Sequence, residues 1–479
     1  MGKNVAKNAV FNTAYNMLNV VFPLLSSIYV SRVLAPEGVG IVADARNTAS
    51  YFLMFAMLGI PAYGMRIIAQ RRDNKVGQDQ AFSELLAINF FSTVISALVY
   101  FIVVYFLFPH ERFLYFVFGF EILFNIINID WYYQGQEEYG YIAARSTIVK
   151  IISLLALILF VKEKQDYVVY AIILCVGVGA NYIFNMLYAM RQVKIRCKGI
   201  HLRSHLFPIF TLMLSSISAT LYSKLDITML GIIADSAAVG YYTNAQKTIQ
   251  LIITLSISLS AVFLPRLSYA YKNDPRQFQY YVDMGLKVIL VLVIPVCVGV
   301  WIVSGSLVDV LYGDAFSPAV PTMQILSCLA LIKGAGDLLC YQVLLSAGKE
   351  KKFIVAHIIA GVVNIVLNSI LIPILSHNGA AIASVAAELI NNAILLFVSL
   401  KIIKPKIQWR FLLSVFFSTA IMALFALFMQ YAFAQSIWRL IFSVTVGVAV
   451  YVLSLRITKN ELIADMINKV LKSHNKKER

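Results

Sequence analysis

Asp44 and Arg46 stand two residues apart inside a run that is otherwise apolar through Ala62, and Lys224 and Asp226 repeat that spacing in a second such run. Glu121, Lys247, Lys333, Asp337 and Glu388 lie in comparable surroundings. A charge in the bilayer core costs at least about 2.5–3.5 kcal/mol, so intramembrane charges usually face a bundle interior or a wet cavity, where they bind or relay ions. Of the 40 Lys and Arg residues, seven fall within or near apolar spans: Arg46, Arg145, Lys150, Lys224, Lys247, Lys287 and Lys333. Fixed cations in a low-dielectric cavity attract phosphate strongly. The excess of basic groups therefore predicts an anionic ligand, its headgroup held by Arg46, Lys150, Lys224, Lys247, Lys333 and Arg145. Asp44, Asp226, Asp337, Glu388 and Glu121 are candidate carboxylates for a coupling ion.

Structural roles compete with these. Lys333 and Asp337 are spaced i, i+4 and can neutralise each other on one helix. Arg145 and Lys287 lie near span ends and can snorkel to the headgroups. His357 reads as a satisfied interior histidine. Polar side chains recur every three or four residues along several spans: Asn8, Asn12, Tyr15/Asn16, Asn19, Pro23 and Ser26; Glu121, Asn125, Asn128 and Tyr132; Ser215, Ser218, Tyr222 and Asp226; Thr243, Lys247, Gln250, Thr254 and Ser258; His357, Gly361, Asn364 and Asn368; Ser384, Glu388 and Asn392. Such stripes line a shared hydrophilic cavity or glue helices together. Trp131, Tyr132 and Tyr133 read as an interfacial aromatic belt.

These residues need a membrane-spanning frame to position them. The chain is 479 residues long, 60% hydrophobic and only 13% charged, which excludes an ordinary soluble protein. A spanning helix needs about 20 mostly apolar residues. The expected fold is an all-α polytopic membrane protein of about fourteen helices: 9–33, 41–64, 83–108, 113–133, 139–161, 167–190, 205–230, 238–263, 284–304, 319–346, 353–375, 379–400, 411–433 and 436–456. With both termini cytoplasmic, twenty-eight basic residues fall on the inner side and Arg32, Arg112, Lys162, Lys164 and Arg439 on the other. That asymmetry follows the positive-inside rule and would be lost if a span were missed. It also explains the net charge of +16 without a nucleic acid partner. The first span is too long for a cleavable signal.

The stretch Gly38–Thr48 returns as Ala238–Thr248. Val39/Val239, Gly40/Gly240, Ala45/Ala245 and Thr48/Thr248 match without a gap, and Asp44, Arg46 and Asn47 align with Asn244, Gln246 and Lys247. Two homologous halves of six spans each enter the membrane in the same sense, giving parallel repeats. The expected organisation is an N-lobe 1–200, a C-lobe 201–402, two peripheral spans in 403–456, and a basic tail 457–479 that reads as a surface amphipathic helix or a solvated tail. Walker A, HExxH and GxSxG motifs are absent, as are clustered Cys/His ligands. Neither a metal, a cofactor nor an enzymatic role is expected. What remains is a two-lobed secondary transporter or flippase with a central cavity.

Several stretches taken together resemble the Wzx-type polysaccharide (O-antigen and capsule) flippases of the MOP superfamily, which also holds MurJ-type flippases and MATE exporters. They are Asn128-Ile-Asp-Trp-Tyr-Tyr-Gln-Gly135 with Glu137, Val161-Lys162 with Asp166-Tyr167, the Val39-Gly40 and Val239-Gly240 turns, Gly348–Lys352, Asn364 with Asn368, Ile372-Pro373 and Gly379–Ala383. The resemblance implies a V-shaped bundle of two six-helix lobes plus two extra helices. It implies translocation of an undecaprenyl-pyrophosphate-linked oligosaccharide across the bacterial cytoplasmic membrane, with ion coupling, and a polysaccharide polymerase and chain-length regulator as partners beside the membrane lipids. Cavity cations matter in the family, and Arg46, Lys224 and Lys247 are of the matching kind. A MATE-type exporter of organic cations is the alternative; it predicts twelve spans and an acidic cavity. A membrane glycosyltransferase or polymerase would need a large extracytoplasmic loop, which the spacing of the spans leaves no room for.

Overall fold

A backbone that crosses hydrocarbon must satisfy its own hydrogen bonds, and the apolar runs accordingly fold as helices. The computed structural model describes residues 2–196 and 201–462, without the side chains of 2–18, 20, 214–216 and 218–223. The side chains of Asn8, Asn12, Tyr15, Asn16, Ser215, Ser218 and Tyr222, and the whole of the tail beyond residue 462, therefore lie outside what the structure describes. The helices in chain order are α1 (Gly2–Met57), α2 (Ile60–Gln70), α3 (Lys75–Leu107), α4 (Arg112–Phe124), α5 (Asp130–Gly135), α6 (Tyr139–Phe160), α7 (Tyr167–Ala189), α8 (Arg203–Ile233), α9 (Ser236–Ala261), α10 (Leu264–Asn273), α11 (Pro275–Tyr312), α12 (Ala319–Gly336), α13 (Val343–Ser346), α14 (Lys351–Leu375), α15 (His377–Ser399), α16 (Trp409–Ala432) and α17 (Ser436–Ile457). No strand occurs among the described residues.

Eleven stretches among the described residues are long and apolar enough to cross a bilayer, against the fourteen spans expected. The difference has local causes. The first stretch, Val21–Gln70, covers two expected spans and breaks at Ala35, whose φ is 58 and ψ 177. Pro36 follows, and the clash with its ring keeps the preceding residue from helical ψ, which accounts for the extended ψ of Ala35 but not for its positive φ. The expected span 113–133 is broken at Asn125–Ile127, so α4 and α5 are each too short to count. The expected span 205–230 coincides with α8, whose side chains are described only in part.

The chain divides into two compact units, 1–243 and 244–479. In the first, α1 packs against α3, α4, α6 and α8, and α2 packs against α5. Glycines permit the closest approaches. A Cβ on Gly64 would lie 2.7 Å from the Trp131 indole, and one on Gly135 would lie 2.8 Å from the Met65 carbonyl oxygen. Trp131, Tyr132 and Tyr133 are consequently buried, at 2%, 1% and 0% exposure, among Ile60, Tyr63, Ile68 and Phe82. The aromatic-belt expectation is thus corrected: α5 is folded into the core against α2. Trp131→Ala should cost about 3–5 kcal/mol, read as a lower thermal midpoint of the detergent-purified protein; an unchanged midpoint would contradict this packing.

The repeated stretches meet each other. A Cβ on Gly40 would lie 1.6 Å from the Ser236 carbonyl oxygen, and one on Gly240 would lie 2.1 Å from the Pro36 carbonyl oxygen. Position 40 thus faces 236 as 240 faces 36, a reciprocal crossing of α1 and the start of α9 in the register of the repeat. Small residues let helix backbones approach in this way. At the loop before α7, the Lys162 and Glu163 amides each donate to Asp166 Oδ2 at 2.8 Å, which holds this exposed carboxyl below its ordinary range.

In the second unit, α14 packs along α15, and α12 against α11 and α15. The helices α16 and α17 pack on each other and on α11, through Val291, Ile294, Phe411, Val415 and Tyr451. The Tyr451 hydroxyl donates to the Val291 carbonyl at 2.7 Å.

Candidate functional site

In the first unit, α1, α4 and α8 bring together most of the charges singled out there. Arg46 donates from Nε to Glu121 Oε2 at 3.3 Å and from Nη2 to Oε1 at 3.1 Å. The arginine side chain remains 42% exposed while that of Glu121 is 10% exposed. Lys224, half-buried on α8, interacts electrostatically with both members of this pair. The cluster holds two cations and one carboxylate, a net positive seat whose exposed face is Arg46. Glu121 enters as the counter-ion of Arg46.

The two aspartates of the flanking positions are held by tyrosines. The Tyr115 hydroxyl donates to Asp44 Oδ2 at 2.8 Å, and Asp44 covers Gly231 of α8, where a Cβ would lie 2.4 Å from its Oδ1. The Tyr242 hydroxyl donates to Asp226 Oδ2 at 2.7 Å. Asn47 Nδ2 donates to Thr228 Oγ1 at 2.8 Å, and the Tyr51 hydroxyl lies 2.6 Å from the same oxygen. These contacts fasten α1 to α8 beside the charged cluster. Sequence reasoning missed Tyr115 and Tyr242, since a tyrosine near a span end reads first as an interfacial anchor. Tyr242 does fall inside the repeated stretch, and that signal was available.

Lys150 donates to Asn19 Oδ1 at 2.6 Å and lies 5.9 Å from the Phe22 ring centroid. Arg145 does not snorkel. It is 7% exposed, and its Nη2 donates to Asp130 Oδ1 at 3.3 Å. Asn185 donates to the same carboxylate oxygen, so Asp130 ties α5, α6 and α7 together. Asn125 of the span-4 polar stripe is likewise interhelical glue: its Nδ2 donates to Asn89 Oδ1 and Thr93 Oγ1 at 3.0 and 2.9 Å, and Asn128 steadies it locally, donating to Asn125 Oδ1 at 3.0 Å.

A missed cluster joins α2, α3 and α8: His205 Nε2 lies 2.7 Å from Glu84 Oε2, and its Nδ1 lies 2.7 Å from the Tyr63 hydroxyl. All three are buried. Their wide separation in sequence left no motif to read.

In the second unit, Lys247 Nζ lies 3.5 Å from Asn244 Oδ1, one end of a half-exposed stripe that continues through Gln250, Thr254 and Ser258. Lys333 does not pair with Asp337. Its Nζ lies 3.3 Å from Glu388 Oε2 on α15, whereas Asp337 accepts from Ser260 and from Gln342 Nε2, the latter at 2.9 Å. The helix widens to i, i+5 bonding at Asp337–Gln342, the turn across which Gln342 reaches the Asp337 carboxylate. Lys287 also pairs rather than snorkels: its Nζ lies 2.7 Å from Glu461 Oε2. His357 Nε2 meets the Tyr341 hydroxyl at 2.8 Å, as expected of a satisfied interior histidine. Among the described residues, no group of three or more His, Cys, Asp or Glu side chains is placed to hold a metal ion.

Comparison with known proteins bears on this geometry. A family described as polysaccharide biosynthesis protein matches residues 5–270, and the MatE family matches residues 211–370. A protein of Escherichia coli (strain K12) assigned as an O-antigen transporter is 23% identical over 407 residues, covering 82% of this chain and 97% of its own length. A Haloferax volcanii protein assigned as a low-salt glycan biosynthesis flippase is 26% identical over 203 residues, 41% of this chain and 42% of its own length. The fold is shared with the lipid II flippase MurJ in an inward closed conformation, at a TM-score of 0.77 and 17% identity over 95% of this chain and all of that one. It is also shared with an inward-facing multidrug resistance MATE family transporter of the MOP superfamily, at a TM-score of 0.65 and 14% identity over 82% and 98% of the two chains.

Proposed function

Since the chain belongs to the polysaccharide biosynthesis protein family, we propose that this multi-pass membrane protein moves an undecaprenyl-pyrophosphate-linked oligosaccharide from the inner to the outer leaflet of a bacterial cytoplasmic membrane. The observation that carries the reading is the net positive seat of Arg46 and Lys224 with Glu121. An arginine fork matches phosphate oxygens in pairs, and a cationic seat suits a pyrophosphate and disfavours an organic cation. Lys247, on the aligned stretch of the second half, is a further candidate for the headgroup in this reading, as are Lys150, Lys333 and Arg145. Alternating access carries the headgroup across while the isoprenyl tail stays in lipid and both termini stay cytoplasmic. Asp44, Asp226, Asp337 and Glu388 are the carboxylates through which a proton or sodium gradient resets the carrier. A polymerase and a chain-length regulator receive the product.

The test is deletion in the native host. Cells lacking the protein should accumulate the lipid-linked oligosaccharide in a form that a lectin cannot reach in intact spheroplasts and reaches after lysis. Full lectin access before lysis would count against the reading. Sensitivity to cationic dyes, with normal surface glycan, would favour the MATE-type alternative, to which the match over residues 211–370 points.

A further inference from the structure

Glu121 holds the Arg46 guanidinium of the seat. It receives both donors of one edge of the Arg46 fork, at 3.1 and 3.3 Å, the bidentate geometry by which arginine binds phosphate and carboxylate alike. It also acts on Lys224 across the same cluster. The arginine is 42% exposed and the glutamate 10%, so an anion arriving at the exposed side meets Arg46 before Glu121. A seat of this kind faces a difficulty of its own: bacterial bilayers are rich in monoanionic phospholipids, and an open pair of cations would be filled by them.

Resting on the function proposed above, we infer that Glu121 is a resident anion that sets the charge specificity of the seat. A phosphodiester headgroup that displaces it exchanges one single negative charge for another and gains little. A pyrophosphate carries more charge and more acceptor oxygens; it engages Arg46 and Lys224 together and out-competes the carboxylate. Specificity then comes from a built-in competitor as much as from attraction, a general way of rejecting a wrong ligand. Besides Arg46 and Lys224, Tyr100 of α3 and Cys175 of α7 interact electrostatically with Glu121, and Tyr170 of α7 with Arg46. None of these three is a cation, so they add no positive charge to that of Arg46 and Lys224.

The experiment compares two soluble probes on the full chain in neutral nanodiscs: geranyl pyrophosphate and dihexanoyl phosphatidylglycerol. Wild type should prefer the pyrophosphate by at least about tenfold, equivalent to about 1.4 kcal/mol. Glu121→Gln should raise phosphatidylglycerol affinity by about tenfold and largely erase the preference. Glu121→Asp, which keeps the charge but withdraws it by one methylene, is the second variant and should give a smaller rise. Phosphatidylglycerol affinity that rises in neither variant overturns the inference. The two readings fail separately. A wild type that does not bind geranyl pyrophosphate removes the proposed substrate, while a gain of phosphatidylglycerol binding in Glu121→Gln still establishes the resident anion.

Discussion

Replacing Arg46, Lys224 and Lys247 together, by Gln, Met and Met, should abolish glycolipid transport while the protein still folds and inserts. Each charge-assisted hydrogen bond to a phosphate is worth roughly 1.5–3 kcal/mol. At about 1.4 kcal/mol per factor of ten, three losses lower transport by at least about a thousandfold. Arg46→Gln also strips Glu121 of its partner at 3.1 Å, so the Lys224→Met, Lys247→Met double variant is measured beside it. That double variant keeps the ion pair intact and should still lose most of the activity. Size-exclusion profiles of the purified variants show whether they fold; wild-type transport in the triple variant would remove these residues from the site.

The second large effect is expected at the crossing of the repeated stretches. Gly40→Ala puts a methyl group 1.6 Å from the Ser236 carbonyl oxygen and 2.9 Å from the Gly240 amide nitrogen. Both are backbone atoms, so relief requires the helices to part, and substitutions of this kind fall in the tail of losses above about 4 kcal/mol. The yield of monodisperse protein should collapse. Gly361→Ala is the control, because no atom lies within 4 Å of its added Cβ, and it should behave as wild type. A normal yield for Gly40→Ala would mean that the α1–α9 crossing is not formed in the folded protein.

The repeat behind this crossing was legible in the sequence; that its two copies pack on each other was not. Val39-Gly40 and Val239-Gly240 fixed a register, and α1 and α9 meet in that register. The residue types of the charged cluster were legible too, because a charge in an apolar run stands out wherever it falls. Its pairing was not. Glu121 lies 75 residues from Arg46, and only the packing of α4 against α1 brings them together. Lys333 shows the converse. Its sequence neighbour Asp337 had the spacing for a pair, but that carboxylate accepts from Ser260 and, across the widened turn at Asp337–Gln342, from Gln342, while Lys333 reaches Glu388. Trp131, Tyr132 and Tyr133 were read as interfacial because aromatic residues at a span end look the same whether they face lipid or protein. The complementary cleft at Gly64 decides it, and nothing near residue 131 in the sequence announces that partner. The tally of spans depended on Ala35 before Pro36 and on the break at Asn125–Ile127, local backbone events that hydropathy averages over.

The most direct measurement is translocation by the purified protein in proteoliposomes. A polyprenyl-pyrophosphate oligosaccharide is placed in the inner leaflet and its appearance outside is followed with a lectin, with efflux of a cationic dye recorded in parallel. The expected result is lectin access that depends on the protein and is lost in the Arg46, Lys224 and Lys247 variant, with no dye efflux. Gradient-driven dye efflux with the glycolipid still enclosed would contradict it.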